Sequence, residues 1–170
     1  MTDNNIFLQF RCLSFPKHAI GLEWSDADVP YFCTPIGAEV IGWSGVDGIH
    51  FCFISSVSTD MVFAVSPMPC GKHHVEPIAH SFRDFLSLVL FCNDAGPLEQ
   101  ICYTDEAQFL SLLESEKEAV NPERDAALKI LRSEFGVESH SNAYQYVKGL
   151  QADFDYSIIP FSEEYYDALG

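Results

Sequence analysis

Basic residues are scarce in this chain. Only nine of its 170 residues are Lys or Arg, against 25 Asp and Glu, which leaves a formal net charge of −16 at pH 7. Binding to a nucleic-acid backbone requires clustered Lys and Arg to neutralise phosphates, and anionic lipid surfaces select the same residues. The sequence has no such cluster, so direct binding to nucleic acid or to a membrane surface is not expected. Long hydrophobic runs are also missing. Stretches such as Leu88-Val89-Leu90-Phe91-Cys92 fall far short of the roughly 20 apolar residues that span a bilayer. The opening Met1-Thr2-Asp3-Asn4-Asn5 has neither the basic start nor the apolar core of an export signal. A cytoplasmic location is therefore expected.

Metal and redox motifs are lacking as well. The six cysteines (Cys12, Cys33, Cys52, Cys70, Cys92 and Cys102) contain no C-x-x-C pair, which excludes zinc-ribbon and thioredoxin-type spacings. A chain of this length can bury roughly 70% of its unfolded surface and needs no disulfide staples. Free and mostly buried thiols are the expected state. No internal repeat or low-complexity tract is visible.

What is present is apolar and aromatic. Hydrophobic residues make up 48% of the chain, with 14 Phe, a composition that builds a packed core. The length fits one domain, 1–170, with a sheet and its first packed helix within 5–103 and a helical part over 104–170. Both parts are acidic: residues 1–103 carry a net −7 and residues 104–170 a net −9. Such a surface attracts a basic protein and speeds its association by steering, and it also keeps a concentrated protein in solution.

Periodicity defines the elements. Ile6, Leu8, Phe10 and Cys12 alternate with polar residues, so 5–15 reads as a first strand ended by Pro16. Residues 17–36 are ambiguous, with Ser25-Asp26-Ala27-Asp28 a turn or a helix start. Ala38–Trp43 reads as a strand, followed by a glycine-rich turn to Gly48 and a second strand over 49–55. That second strand is apolar on both faces, which predicts a central position. Met61–Ser66 is a third strand stopped by Pro67 and Pro69. His74–Ala79 is a fourth, and its Pro77 assigns it to an edge or a bulge. Ser81 caps a helix whose Phe82, Phe85, Leu86, Val89 and Leu90 form one wide apolar stripe. Further helices are read at 98–103, from Thr104, from Asn121-Pro122 to Gly136, and over 142–150. Phe154–Phe161 reads as extended, with Ser162 capping a last turn. The fold class is α+β: a twisted, mainly antiparallel sheet of about four to six strands packed against helices.

Candidate chemistry is sparse. Cys70-x-x-His73-His74 has local ligand spacing but no partner motif, and zinc needs three or four converging ligands. His50 and Cys52 share a strand face, yet a nucleophilic thiol must be exposed and of low pKa. The Gly42-x-x-Gly45-x-x-Gly48 turn precedes a strand, whereas phosphate cradles precede a helix. No cofactor is expected. Aromatic anchors and acidic groups suit a basic protein partner. Trp43, Asp47, Asp60 and Glu76 are the expected partner-binding residues, while Trp24, Tyr165 and Tyr166 are weighed as anchors against a packing role.

Ile36-Gly37, then Val40-Ile41-Gly42-Trp43-Ser44-Gly45-Val46-Asp47-Gly48-Ile49-His50-Phe51, then Val62–Met68 and Phe82-x-x-Phe85-Leu86 together resemble the SUKH superfamily of bacterial immunity proteins and fungal cell-wall-synthesis regulators. The match covers about a third of the chain. It implies a twisted, mainly antiparallel sheet backed by helices, and binding without catalysis. The family usually starts with a helix and a Leu-Pro segment before the sheet, whereas this N-terminus reads as a strand and a Pro-broken loop. In bacteria it implies neutralisation of a toxin, often a nuclease or deaminase. The expectation is a non-enzymatic module that binds a basic, toxin-like protein through an acidic surface. Two alternatives come from other classes. One is a hydrolase using Cys52, Cys70, His50, His73, His74 or a metal. The other is a homo-oligomer, such as a homodimer, with a structural or regulatory role.

Overall fold

The computed structural model describes residues 3–24, 30–117 and 120–170. The turn read at Asp26 and Asp28 lies outside them. Four strands, β1 (Ala38–Trp43), β2 (His50–Ile54), β3 (Ser58–Cys70) and β4 (His73–Ala79), form one antiparallel sheet in the order β1-β2-β3-β4. The connections are six, three and two residues long, too short for a crossover, so each returns the chain beside the strand it has left. All five residues of β2 are buried. Alternation sends Phe51 and Phe53 to one hydrophobic cluster and Cys52 and Ile54 to another, so the strand is central and covered on both sides as expected.

The β1–β2 turn depends on positive φ at Gly45 (84°), Asp47 (50°) and Gly48 (70°). At Gly48 a Cβ would sit 2.5 Å from the Tyr31 ring, so glycine is required there on two counts. On the outer side of β1, Glu23 and Trp43 exchange backbone hydrogen bonds of 2.7 and 2.8 Å.

The third strand differs from its expectation. Pro67 and Pro69 do not end it; β3 continues to Cys70. Its pairing with β2 stops at Val65, and its pairing with β4 skips from Val65 to Cys70. The two prolines therefore fall where no ladder donor is needed. Pro77 lies in β4, the edge strand, beside a register shift, which satisfies both expectations for it.

Residues 5–15 do not form a strand. Asp3–Cys12 is a helix, α1. Ile6, Phe7 and Phe10 are buried, whereas Leu8 is 52% exposed and Cys12 is exposed. The spacing of Ile6, Phe7, Phe10 and half-buried Leu13 is helical; the apparent alternation was carried by Leu8 and Cys12, which face outward. Helix α2 (Phe82–Cys92) lies on the Phe51/Phe53 face of the sheet. Its Phe85 ring is 5.2 Å from Phe51, and Phe82 is 5.9 Å from Phe53. Phe7 and Phe10 of α1 meet Phe82 at 5.2 and 5.3 Å. Ser81 caps α2 by accepting from Asp84 N–H, but the Asp84 carboxylate accepts from the Tyr146 hydroxyl at 3.0 Å.

The remaining helices are α3 (Gly96–Gln100), α4 (Glu106–Lys117), α5 (Pro122–Phe135), α6 (Ala143–Asp153) and α7 (Glu163–Leu169). A 3-10 turn, Ile101–Tyr103, follows α3. Asp105 and Gln108 form a reciprocal cap for α4, with bonds of 2.8 and 3.0 Å. Asn121 caps α5 and Gly136 ends it in the left-handed conformation, as their positions predict. Helices α4–α6 add to the cluster around α2. The C-terminal stretch crosses to the other sheet face, where Ile159 and Tyr165 join Cys33, Cys52, Ile54, Phe63 and Val65. Phe154–Phe161 is not uniformly extended, because Tyr156–Ile158 is a 3-10 turn capped by Asp155. Among the described residues no helix is long and apolar enough to cross a membrane.

Truncation of Phe85, fully buried at the centre of the helical face, should cost about 3–5 kcal/mol. Urea unfolding of Phe85→Ala is the check, and a loss under about 1 kcal/mol would remove α2 from its central place in the core.

Candidate functional site

The four residues expected to meet a partner are not brought together. Trp43 and Asp47 stand at the β1–β2 hairpin end of the sheet. Asp60 is exposed at the opposite end, beside Glu39 and Phe7, about one strand length or roughly 16 Å away. Trp43 is half-buried, with its ring 4.2 Å from His50 and 5.8 Å from Tyr31. Glu76, expected on the surface, is buried in β4.

Asp47 lines a cavity of about 320 Å³ with Ser66, Met68, Glu99 and Tyr103. Glu99 is buried, and burial pushes its carboxyl above the usual range, with Asp47 adding to the shift. The Ser66, Tyr103 and Gln100 side chains hold part of that shift back. Met68 and Tyr103 in its lining are exposed, Met68 by 73%. The result is a concave acidic spot with an apolar border. Sequence reasoning missed Glu99, because residues 98–103 read only as a short helix. No local pattern shows that this turn faces the hairpin.

The thiol and imidazole candidates separate. Cys52 is fully buried, and desolvation drives its thiol strongly upward, the opposite of what a nucleophile needs. His50 donates from Nδ1 to the Gly48 carbonyl at 2.9 Å, and its Nε2 meets the Thr34 hydroxyl at 3.2 Å. His74 donates to the Ser66 carbonyl at 2.9 Å and stands edge-on to Phe32 and Tyr165. His73 stacks on Tyr156 with ring centres 3.7 Å apart. Desolvation, then Lys72, lowers its pKa.

Cys70 does find partners, though not the expected ones. Its Sγ, the Sγ of Cys102 and a carboxylate oxygen of Glu76 all lie within 4.8 Å of one another. Cys102 comes from the 3-10 turn after α3, so nothing in the local Cys70–His74 spacing points to it. The Tyr156 hydroxyl donates to Glu76 at 2.5 Å, and the Cys102 thiol bonds the Glu99 carbonyl at 3.3 Å. Burial pushes the Glu76 carboxyl up to about 6, against the lowering effects of Tyr156 and Lys148.

No protein-family model, curated protein or solved structure matches this chain.

The raised Glu76 pKa has a definite sign in stability. A carboxyl whose folded value exceeds its unfolded value stabilises the fold at low pH. That contribution is complete below about 4.5 and is lost as pH rises through about 6. The shift corresponds to about 2 kcal/mol. In chelator, Glu76→Gln should therefore gain about that much relative to wild type between pH 4 and pH 8. Parallel unfolding curves with no pH-dependent difference would mean that Glu76 is solvated.

Proposed function

We propose that this chain is a non-enzymatic, SUKH-like protein-binding module of the cytoplasm that neutralises a basic, toxin-like protein through its acidic surface. The observation that carries the reading is the Asp47–Glu99 cavity with exposed Met68 and Tyr103 in its lining. A Lys or Arg side chain entering this cavity meets two carboxyl groups and restores favourable surroundings to the buried one. The apolar rim then excludes water from the contact, as a hot spot requires. Asp60, at the other end of the sheet, contributes to the long-range field.

The charge balance supports the same reading. With nine Lys and Arg against 25 carboxylates, at least 16 carboxylates lack a one-to-one cationic partner. Several cations are also directed to backbone carbonyls: Lys17 to Leu13, Arg83 to Phe135 and Gly136, and Lys148 to Cys102. The outward field stays negative and steers a cationic partner toward the surface. Helix α1 supports the family resemblance, because a helix ahead of the sheet is part of what that resemblance implies.

The test is the association rate with a basic toxin domain encoded beside this chain. Association should slow at least about tenfold from low to high salt. Asp47→Asn, which keeps a residue tolerant of positive φ, and Met68→Ala should each weaken binding roughly tenfold. Salt-insensitive binding, or full affinity in both variants, would discard the acidic-cavity reading.

A further inference from the structure

We propose that Cys70, Glu76 and Cys102 form a binding site for one thiophilic divalent cation of the zinc type. The three residues come from three separate elements: the end of β3, the middle of β4 and the 3-10 turn after α3. Only the tertiary fold collects them. Zinc held tetrahedrally, with metal–sulfur bonds of about 2.3 Å and metal–oxygen bonds of about 2.1 Å, sets its ligand atoms roughly 3.5–3.8 Å apart. The three atoms here lie within 4.8 Å of one another, so a contraction of about an ångström closes them on an ion. Rotation about χ1 of two half-buried cysteines supplies that much movement.

The chemistry of the set narrows the ion. Two thiolates and one carboxylate suit zinc, whereas magnesium and calcium take oxygen ligands. Binding releases the two thiol protons to solvent, so the site presents two thiolates and a carboxylate to the ion. Their combined −3 is balanced by the +2 ion and by Lys148, whose Nζ lies 3.4 Å from the Cys102 carbonyl. Glu76 is oriented by the Tyr156 hydroxyl, and Tyr156 is itself held by the stacked His73 ring. That is the outer support which fixes a ligating carboxylate. Both cysteines are partly exposed, which gives the ion a way in. Three protein ligands leave one position for water. The proposal is independent of the acidic-cavity reading, since it shares neither Asp47 nor Glu99.

The experiment is a cobalt(II) titration of the full chain, reduced and stripped of metal. One equivalent should bring up thiolate-to-cobalt charge-transfer absorption with tetrahedral d–d bands, and zinc should erase both. Cys70→Ser/Cys102→Ser should abolish the signal, while Cys12→Ser, at an exposed thiol elsewhere, should leave it intact. Glu76→Gln and Tyr156→Phe keep both thiols and should weaken cobalt binding by about tenfold or more. Circular dichroism establishes that each variant is folded. A wild-type chain without the charge-transfer band, or a double-serine variant that retains it, overturns the proposal. So does reversible oxidation of the Cys70–Cys102 pair in a protein that takes up no cobalt after reduction, which would assign the pair to dithiol chemistry.

Discussion

The contact between α2 and β2 holds this structure together. Phe82 and Phe85 rest on Phe53 and Phe51, and Leu86, Leu88, Val89 and Leu90 of the same helix are also buried. A helix buried over so much of its circumference needs cover from several directions, which α1, α3, α5 and α6 supply. Fully burying side chains of this size is worth roughly 1.5–3 kcal/mol each, well beyond the contribution of an exposed ion pair such as Arg11–Glu39. Apolar packing therefore sets the fold.

Both candidate sites hang from two short segments beyond the regular sheet. The overrun of β3 past β2 carries Met68 to the acidic cavity and Cys70 to the thiol cluster. The 3-10 turn after α3 sends Tyr103 to the first and Cys102 to the second. Adjacent residues thus serve different sites, because a 3-10 turn advances its side chains by about a third of a circle per residue. Strand pairing is weakest here, since Ser66–Pro69 has no ladder partner in β4. Irregular backbone is where polar groups can converge without being used up by sheet hydrogen bonds.

Burial separates the carboxylates into two kinds. Glu76, Asp94 and Glu99 are drawn inward, and in each desolvation is the largest influence on the pKa. Asp47 and Asp60 stay exposed and contribute to the field around the molecule. The field of an exposed carboxylate reaches about a Debye length into solvent.

Local signals in the chain determined much of the fold. The bounds of β1, the central place of β2, the Ser81, Asn121 and Ser162 caps and the apolar stripe of α2 all follow from spacing within ten residues or so. The net charge is a property of composition alone. Only the tertiary structure decided that α1 is a helix, because its ambiguous pattern is resolved by which of Phe7 and Leu8 meets Phe82. Tertiary packing likewise buried Glu76, parted Asp60 from Asp47, and set Cys102 beside Cys70 across 32 positions of sequence. Periodicity reports which face of an element is apolar. It carries no information on which element that face will meet, and a site assembled from three elements is written only in those meetings.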